Sequence, residues 1–393
     1  MIVTELGREI KRLRAERGIT VRQLASLLDK SAAYVAKIEV GGEIPSPMLI
    51  GEISKALDVD AACLLGLARE SLLVSYGQKV GREYAPLGTE KTEQKSPWGP
   101  GGRVAKVVSF INMKGGVGKT TLAMQVAHAA DAAGFKVLAV DLDPQSNLSQ
   151  ALMGPKRYVE HLRAHKPTVV QIFDEYVPPA PQDGAPRRLD IKEVVVKRAG
   201  YWQRTTLDLI PSRLELSRTL KNPTGKERRL AKALSRIAED YDLIIIDCAP
   251  TESILTDAAY FASRYVIAPI KPEFMATIGL PLLARSIKEF QLENDDHEIS
   301  IAGLVFDHSS AYTSGPEGQQ SIKEVSDIAK AEGWYICRNQ VRYSASYAKS
   351  AREGRPLGHT SYARSDVVAG LRQLTDEIFD IIGLVKPSAK ASA

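Results

Sequence analysis

The segment KGGVGKTT, Lys114 to Thr121, limits what this chain can fold into more than any other feature. It follows the β-branched run VAKVVSFI and precedes TLAMQVAHAADAAG, which predicts a strand ending near Phe110, a glycine loop and a helix starting near Lys119. Glycines at such a junction let backbone N–H groups curl around phosphate oxygens, and the first helical turn adds its partial positive charge. Gly115, Gly116, Val117, Gly118, Lys119, Thr120 and Thr121 are therefore expected to cradle the phosphates of a nucleoside triphosphate. Within that set Lys119 reaches the β/γ-phosphates and the Thr120 hydroxyl is offered to Mg2+. A chance glycine turn would lack the flanking strand and helix and the acidic strand end that follows later.

From Val104 onward, β-branched runs alternate with amphipathic helices: KVLAVDLD, TTLDLIPS, YDLIIIDCA, RYVIAPI and ISIAGLVF follow the first strand. That alternation predicts an α/β fold, a parallel twisted sheet with helices on both faces. Its last helix is expected over Arg364 to Ile382. Residues 1 to about 68 read differently. Leu6, Ile10 and Leu13, then Leu24, Leu27 and Leu28, then Val35 and Ile38, then Leu49, Ile53 and Leu57 recur at helical spacings, broken at Gly18, Ser31 and the Gly41 to Pro47 stretch. Five short helices in a small all-α module are expected. The expected division is 1–70 helical module, 71–102 Gly/Pro-rich linker, 103–384 α/β domain and 385–393 frayed tail, and 393 residues suit two domains.

Composition supports a folded cytoplasmic protein. Hydrophobic residues make up 44% and charged residues 25%, ordinary globular values. The amino terminus, MIVTELGREIKRLRAERG, is charged at once, and no apolar run approaches the roughly 18 residues of a membrane span. Cys63, Cys248 and Cys337 are scattered, which excludes a disulfide framework and a cysteine metal site. The net charge of +5 permits nucleic-acid binding without demanding it. The most cationic region holds Arg338, Arg342, Lys349, Arg352, Arg355 and Arg364 against the single acid Glu353.

The loop departs from GxxxxGK[ST]: Met113 stands where the first glycine belongs, and Lys114 adds a lysine. NMKGGVGKTT, together with VLAVDLDPQSNLS, LDLIPSRLELSRTL, YDLIIIDCAP, VIAPIKPEFMATIGL and GRPLGHTSYARSDVVAGLRQLTDEI, resembles the deviant Walker ATPases, ParA partition proteins in particular. The resemblance covers about three quarters of the chain. It implies ATP and Mg2+ as ligands and a homodimer formed on ATP, with Lys114 crossing to the partner's nucleotide. It also implies that Asp143 orients the attacking water, that Asp141 supports the magnesium and switch region, and that Asp247 is the Walker B acid on magnesium. Lys114, Lys119 and Asp143 are then the catalytic set. Arg342, Lys349, Arg352, Arg355 and Arg364 fall where such proteins present a nonspecific DNA surface on the nucleoid, and a ParB-like centromere-binding protein is the implied partner.

Residues 6 to 59 resemble the Cro/CI-type helix-turn-helix family. The resemblance implies a recognition helix from about Ser31 to Glu39, with Arg22, Ser31, Ala33, Tyr34 and Lys37 facing an operator, Arg12 and Arg14 placing the DNA backbone, and Val35 and Ile38 in the core. Val21 stands where many relatives carry a glutamine that holds a phosphate. Two other functions compete with partition: an ATP-responsive repressor, and a ParA-like ATPase that positions a protein cargo. A membrane-cycling ATPase of the MinD kind fits poorly, because the tail VKPSAKASA has no apolar face.

Overall fold

The computed structural model divides the chain into two units, residues 1–88 and 89–393. It describes residues 5–40, 45, 47–60, 64, 67, 105–177, 187–200, 205–221, 223–274, 276–294, 297–308, 315–361 and 363–385. The expected linker 71–102, Cys63 and most of the expected tail lie outside the described residues.

The first unit contains α1 (Glu5–Glu16), α2 (Val21–Leu27), α3 (Ala32–Glu39) and α4 (Pro47–Ala56). Of the expected fifth helix, Leu64 and Leu67 are described, both helical. The starts are set by side chains. Thr20 and Gln23 close a capping box on α2, the Thr20 Oγ1 accepting from Gln23 N at 3.2 Å and the Gln23 Oε1 from Thr20 N at 2.8 Å. Ser31 caps α3 by accepting from Tyr34 N at 3.1 Å. Leu6, Ile10, Leu24, Val35, Ile38, Ile50 and Ile53 form the core, and buried Ala25 lets α2 and α3 approach.

The second unit is built on a seven-stranded sheet, β1 (Lys106–Phe110), β2 (Val137–Leu142), β5 (Asp208–Ile210), β6 (Leu243–Cys248), β7 (Tyr265–Ile270), β8 (Ser300–His308) and β9 (Val341–Arg342). Their order is β5-β2-β6-β1-β7-β8-β9, every pairing parallel. A two-stranded antiparallel ribbon, β3 (Tyr176–Val177) with β4 (Arg187–Arg188), lies apart from it. The β-branched runs of the sequence become the buried central strands: β2, β6 and β7 are buried along their whole length. Helices cover both faces. The helix Lys119–Ala132 and part of Ser365–Ile381 pack on one, and Val169–Asp174, Ile254–Ala262 and Ala276–Glu293 on the other. Each of the runs expected as strands contains one, β1, β2, β5, β6, β7 and β8 in turn. The sequence reading omitted β9 and the ribbon, whose two-residue strands are too short to show a period.

The connections place the phosphate loop centrally. The chain leaves β1 for β2 on one side of the sheet and later returns to β7 on the other, with β6 between β1 and β2. Ligands bind outside the carboxyl ends of strands where such an order reverses.

Candidate functional site

The loop joining β1 to the helix Lys119–Ala132 takes positive φ at Gly116 (74°) and Gly118 (87°), the left-handed region that favours glycine. Asn112 braces it, its Nδ2 donating to the Pro269 carbonyl at 2.8 Å and its Oδ1 accepting from Lys114 N at 2.9 Å. Lys119 Nζ donates to the Lys114 carbonyl at 2.9 Å across the loop. Lys119 is 6% exposed. Burial pulls its titration down, and Asp247, Cys248 and Asp143 pull the other way.

Three strand ends converge behind the loop. Phe110 of β1 and Asp141 of β2 both stand in register with Asp247 of β6. Asp247 is fully buried, and among the described residues neither carboxylate oxygen has a hydrogen-bond partner. Burial and the neighbouring Asp141 raise its titration far above the carboxylate range, although the Thr120 hydroxyl lies close enough to favour the charged form. An orphaned buried carboxylate beside Thr120 and Lys119 fits a hydrated Mg2+, which prefers a carboxylate, waters and phosphate oxygens to an all-protein cage. Consistently, no cluster of three or more acidic, histidine or cysteine ligands occurs among the described residues.

Asp141, expected to support the magnesium and switch region, has both carboxylate oxygens engaged by protein donors. Its Oδ2 accepts from Ser149 N at 2.8 Å and Ser149 Oγ at 2.6 Å, and its Oδ1 from Asp143 N at 3.1 Å. Three protein donors hold both oxygens, so Asp141 supports the turn that carries Asp143 and leaves Asp247 as the carboxylate open to a metal. Its titration rises to about 7 because it is buried. Ser149 Oγ in turn accepts from Ser212 N at 2.8 Å, tying this turn to the end of β5. Ser149→Ala removes both Oγ bonds, and the unfolding free energy is expected to fall by about 1–3 kcal/mol, read from a lower urea midpoint with an unchanged slope.

A cavity of about 520 Å3 opens in front of the loop. Gly115, Gly116, Gly118, Lys119, Thr120, Thr121 and Asp143 line it, joined by Gln145, Asn147, Pro250, Asp307, Arg342, Tyr343 and Tyr347. Asp143 is 8% exposed, and its Oδ1 accepts from Gln145 N at 2.8 Å. Val117 and Lys114 do not line it. The Val117 side chain is buried in the protein, which leaves only its backbone for a ligand. Lys114 turns to Glu273, with Nζ 2.7 Å from Oε2, and Lys271 pairs with the same carboxylate.

The expected basic surface divides in two. Arg364 is paired with Asp366 at 2.7 Å, and Arg342 lies 4.0 Å from the same carboxylate. Lys349 lies 4.0 Å from Glu353. Asp366 falls just beyond the window read as the most cationic, so two of its cations are partly neutralised. Arg352 and Arg355 are exposed and join Lys156, Gly154 and Ser361 around a second cavity of about 450 Å3, in which Glu353 is the acid.

In the first unit Arg22, Ser31, Ala33 and Lys37 are exposed, together with Ala36, which the sequence reading passed over. Tyr34 is half-buried against the core. The Ser31 hydroxyl is engaged in capping. Arg14, expected to place a DNA backbone, is instead internal: its guanidinium grips Glu39 at 2.5 and 3.0 Å and donates to the Ile19 carbonyl at 2.7 Å. Arg12 is exposed but held by Glu9 and Glu16 on its own helix.

Comparison with known proteins follows the same division. A family model described as an AAA domain matches residues 105–301, and one described as helix-turn-helix matches residues 10–62. The sporulation initiation inhibitor protein Soj of Bacillus subtilis is 31% identical over 257 residues, 65% of this chain and 90% of that protein. The chromosome-partitioning ATPase Soj of Treponema pallidum is 30% identical over 231 residues, 56% of this chain and 78% of that protein. Among solved structures, the ATP complex of McdA from Cyanothece superposes with a TM-score of 0.57 at 18% identity, covering 73% of this chain and 99% of that one. A plasmid partition protein of Borrelia burgdorferi bound to AMPPNP gives 0.52 at 19% identity, covering 70% and 99%. At those identities the structures speak to fold. No helix among the described residues is long and apolar enough to cross a membrane.

Proposed function

Because the chain belongs to the family of ParA/MinD-type P-loop proteins, with a helix-turn-helix module at its amino terminus, we propose that it is an ATP-driven partition switch. In this reading two copies close on ATP and Mg2+, the closed dimer grips DNA without regard to sequence, and hydrolysis releases it. The observation that carries the reading is the buried, unpartnered Asp247 behind Lys119 and Thr120. Thr120 and, through water, Asp247 would hold Mg2+, which would supply neutralising charge on the phosphate oxygens. Lys119 supplies a desolvated positive charge at the β/γ-phosphates, and Asp143, fixed by Gln145 N, orients the attacking water. Lys114 leaves Glu273 and crosses to the nucleotide of the second copy, so closure reports the γ-phosphate.

Light scattering in ATP, ADP and no nucleotide tests this directly. Mass should double in ATP alone, and Lys114→Ala should stay monomeric while still binding ATP. A wild-type chain that hydrolyses ATP without ever changing mass would sink the dimer switch.

Arg352 and Arg355, which have no ion pair among the described residues, are the best placed to meet phosphates; Arg342, Arg364 and Lys349 contribute less. Changing both Arg352 and Arg355 to Ala is expected to weaken binding to any duplex and to lower the slope of log affinity against log salt by about 2. The exposed face of α3, Ala33, Ala36 and Lys37, supports a second DNA mode, operator binding by a dimer on a palindromic site that autoregulates the operon. Within partition the expected partner is a ParB-like centromere-binding protein that stimulates hydrolysis, and the expected place is the nucleoid in the cytoplasm. The same α3 face also favours an ATP-responsive repressor with no cargo, for which binding to random duplex DNA would be the same in every nucleotide state.

A further inference from the structure

One buried side chain joins the helix of the phosphate loop to the basic segment and takes no part in the phosphate chemistry above. Gln125 lies on the helix Lys119–Ala132, less than two turns beyond Lys119, and is 2% exposed. Its Nε2 donates to the Ser350 Oγ at 2.7 Å, and its Oε1 accepts from Leu357 N at 3.2 Å. Ser350, on the helix Ala345–Glu353, is fully buried as well. Its hydroxyl donates onward to the Arg355 carbonyl at 2.6 Å, and its own carbonyl accepts from Arg355 N at 3.2 Å. Gly354 ends that helix at a φ of 59°, which turns the chain back toward Leu357. The turn clasped in this way carries Arg352 and Arg355, both exposed.

A leucine would fill the place of Gln125 without burying an amide, and an amide in a core is worth keeping only where its bonds fix a geometry. Here the two ends of one amide grip both arms of the turn, one at Ser350 and one at Leu357. Arginines reach phosphates on long side chains, so two of them meet a rigid duplex together only if the backbone they start from is held. We propose that Gln125 is a positioning residue for DNA binding: it fastens the turn to the phosphate-loop helix so that Arg352 and Arg355 present to the duplex as a pair. The inference rests on the nonspecific DNA reading above and deepens it. It also ties that surface to the nucleotide, since Lys119 and Gln125 share one helix.

The test is a mutant cycle read as random-duplex affinity of the full chain in ATP over a range of salt, with ATP binding and hydrolysis measured alongside. Gln125→Leu keeps the volume and loses both bonds. It should leave ATP binding and DNA-free hydrolysis at wild-type levels, yet weaken duplex binding by about 10- to 100-fold near 0.1 M salt, the share of two phosphate contacts. Its salt slope should fall toward that of the variant with Arg352→Ala and Arg355→Ala. Ser350→Ala cuts the same bridge with a smaller change and should act in the same direction, which answers the question if the leucine variant does not fold. Combined with Arg352→Ala and Arg355→Ala, neither change should weaken binding further, whereas general damage to the fold would lower affinity in both backgrounds. Equal losses in the two backgrounds, or no loss beside wild-type arginines, overturn the inference and leave the DNA reading standing. If the variant lacking both arginines binds random duplex as tightly as wild type, the DNA reading of this surface falls and takes the inference with it.

Discussion

Lys119→Ala is expected to reduce ATP hydrolysis by at least about 10²- to 10³-fold, the usual loss when a charge-stabilising donor is removed from a phosphoryl-transfer site. The physical reason lies in its surroundings. The residue is 6% exposed, and its ammonium spans the loop to the Lys114 carbonyl and lies close enough to Asp247 and Asp143 for their charges to act on it. Without it, incoming phosphates meet two carboxylates, and the other cation of the loop, Lys114, is paired with Glu273. The fold should persist, since alanine favours the first turn of the helix Lys119–Ala132 and the glycine φ values do not depend on the lysine. Steady-state phosphate release with parallel circular dichroism checks this. A folded variant that keeps a tenth of wild-type hydrolysis would remove Lys119 from the chemistry.

Arg14→Leu is expected to have a comparably large effect on the other unit. Glu39 is 5% exposed and is held by two nitrogens of the Arg14 guanidinium, so the substitution leaves a buried carboxylate without its cation. Breaking such a pair costs about 3–5 kcal/mol. A module this small has little more than that to lose. In a calorimetric scan the transition of the first unit should move below 37 °C while that of the ATPase unit stays put, and operator binding should vanish with hydrolysis intact. The double change Arg14→Leu with Glu39→Leu should recover much of the loss, because an apolar pair of similar volume replaces a buried ion pair at little cost. Equal instability in single and double variants would mean that packing, not charge, holds that corner.

The contrast between these two residues shows what was legible from sequence. Lys119 announces itself through neighbours in the chain: glycines before it, threonines after it, a strand and a helix on either side. Asp247 is similarly marked by the apolar run it ends. Arg14 could not be separated from Arg12 or Arg22 by local pattern, because its partner Glu39 is 25 residues away. Lys114 and Glu273 are 159 residues apart, and nothing in either segment records the pairing. Ser149 was visible inside DLDPQSNLS, but only the fold brings its hydroxyl onto Asp141 and Ser212 together. Asp307 lies just past the run ISIAGLVF expected as a strand, and only the sheet places it beside Gly118. Asp366 shows the same limit for charge: counting a window of sequence finds cations and misses the acid that folds back on them.

The central claim is that ATP converts this protein into a form that binds DNA without sequence preference. It is tested most directly by titrating random duplex DNA into the full chain with ATP, ADP or no nucleotide, at two salt concentrations, alongside a duplex from its own upstream region. The account predicts tight, salt-sensitive binding to the random duplex in ATP only, with ADP shifting preference to the upstream site. Random-duplex binding that is the same in all three nucleotide states, with ATP altering only the upstream site, would contradict it and leave an ATP-responsive repressor in its place.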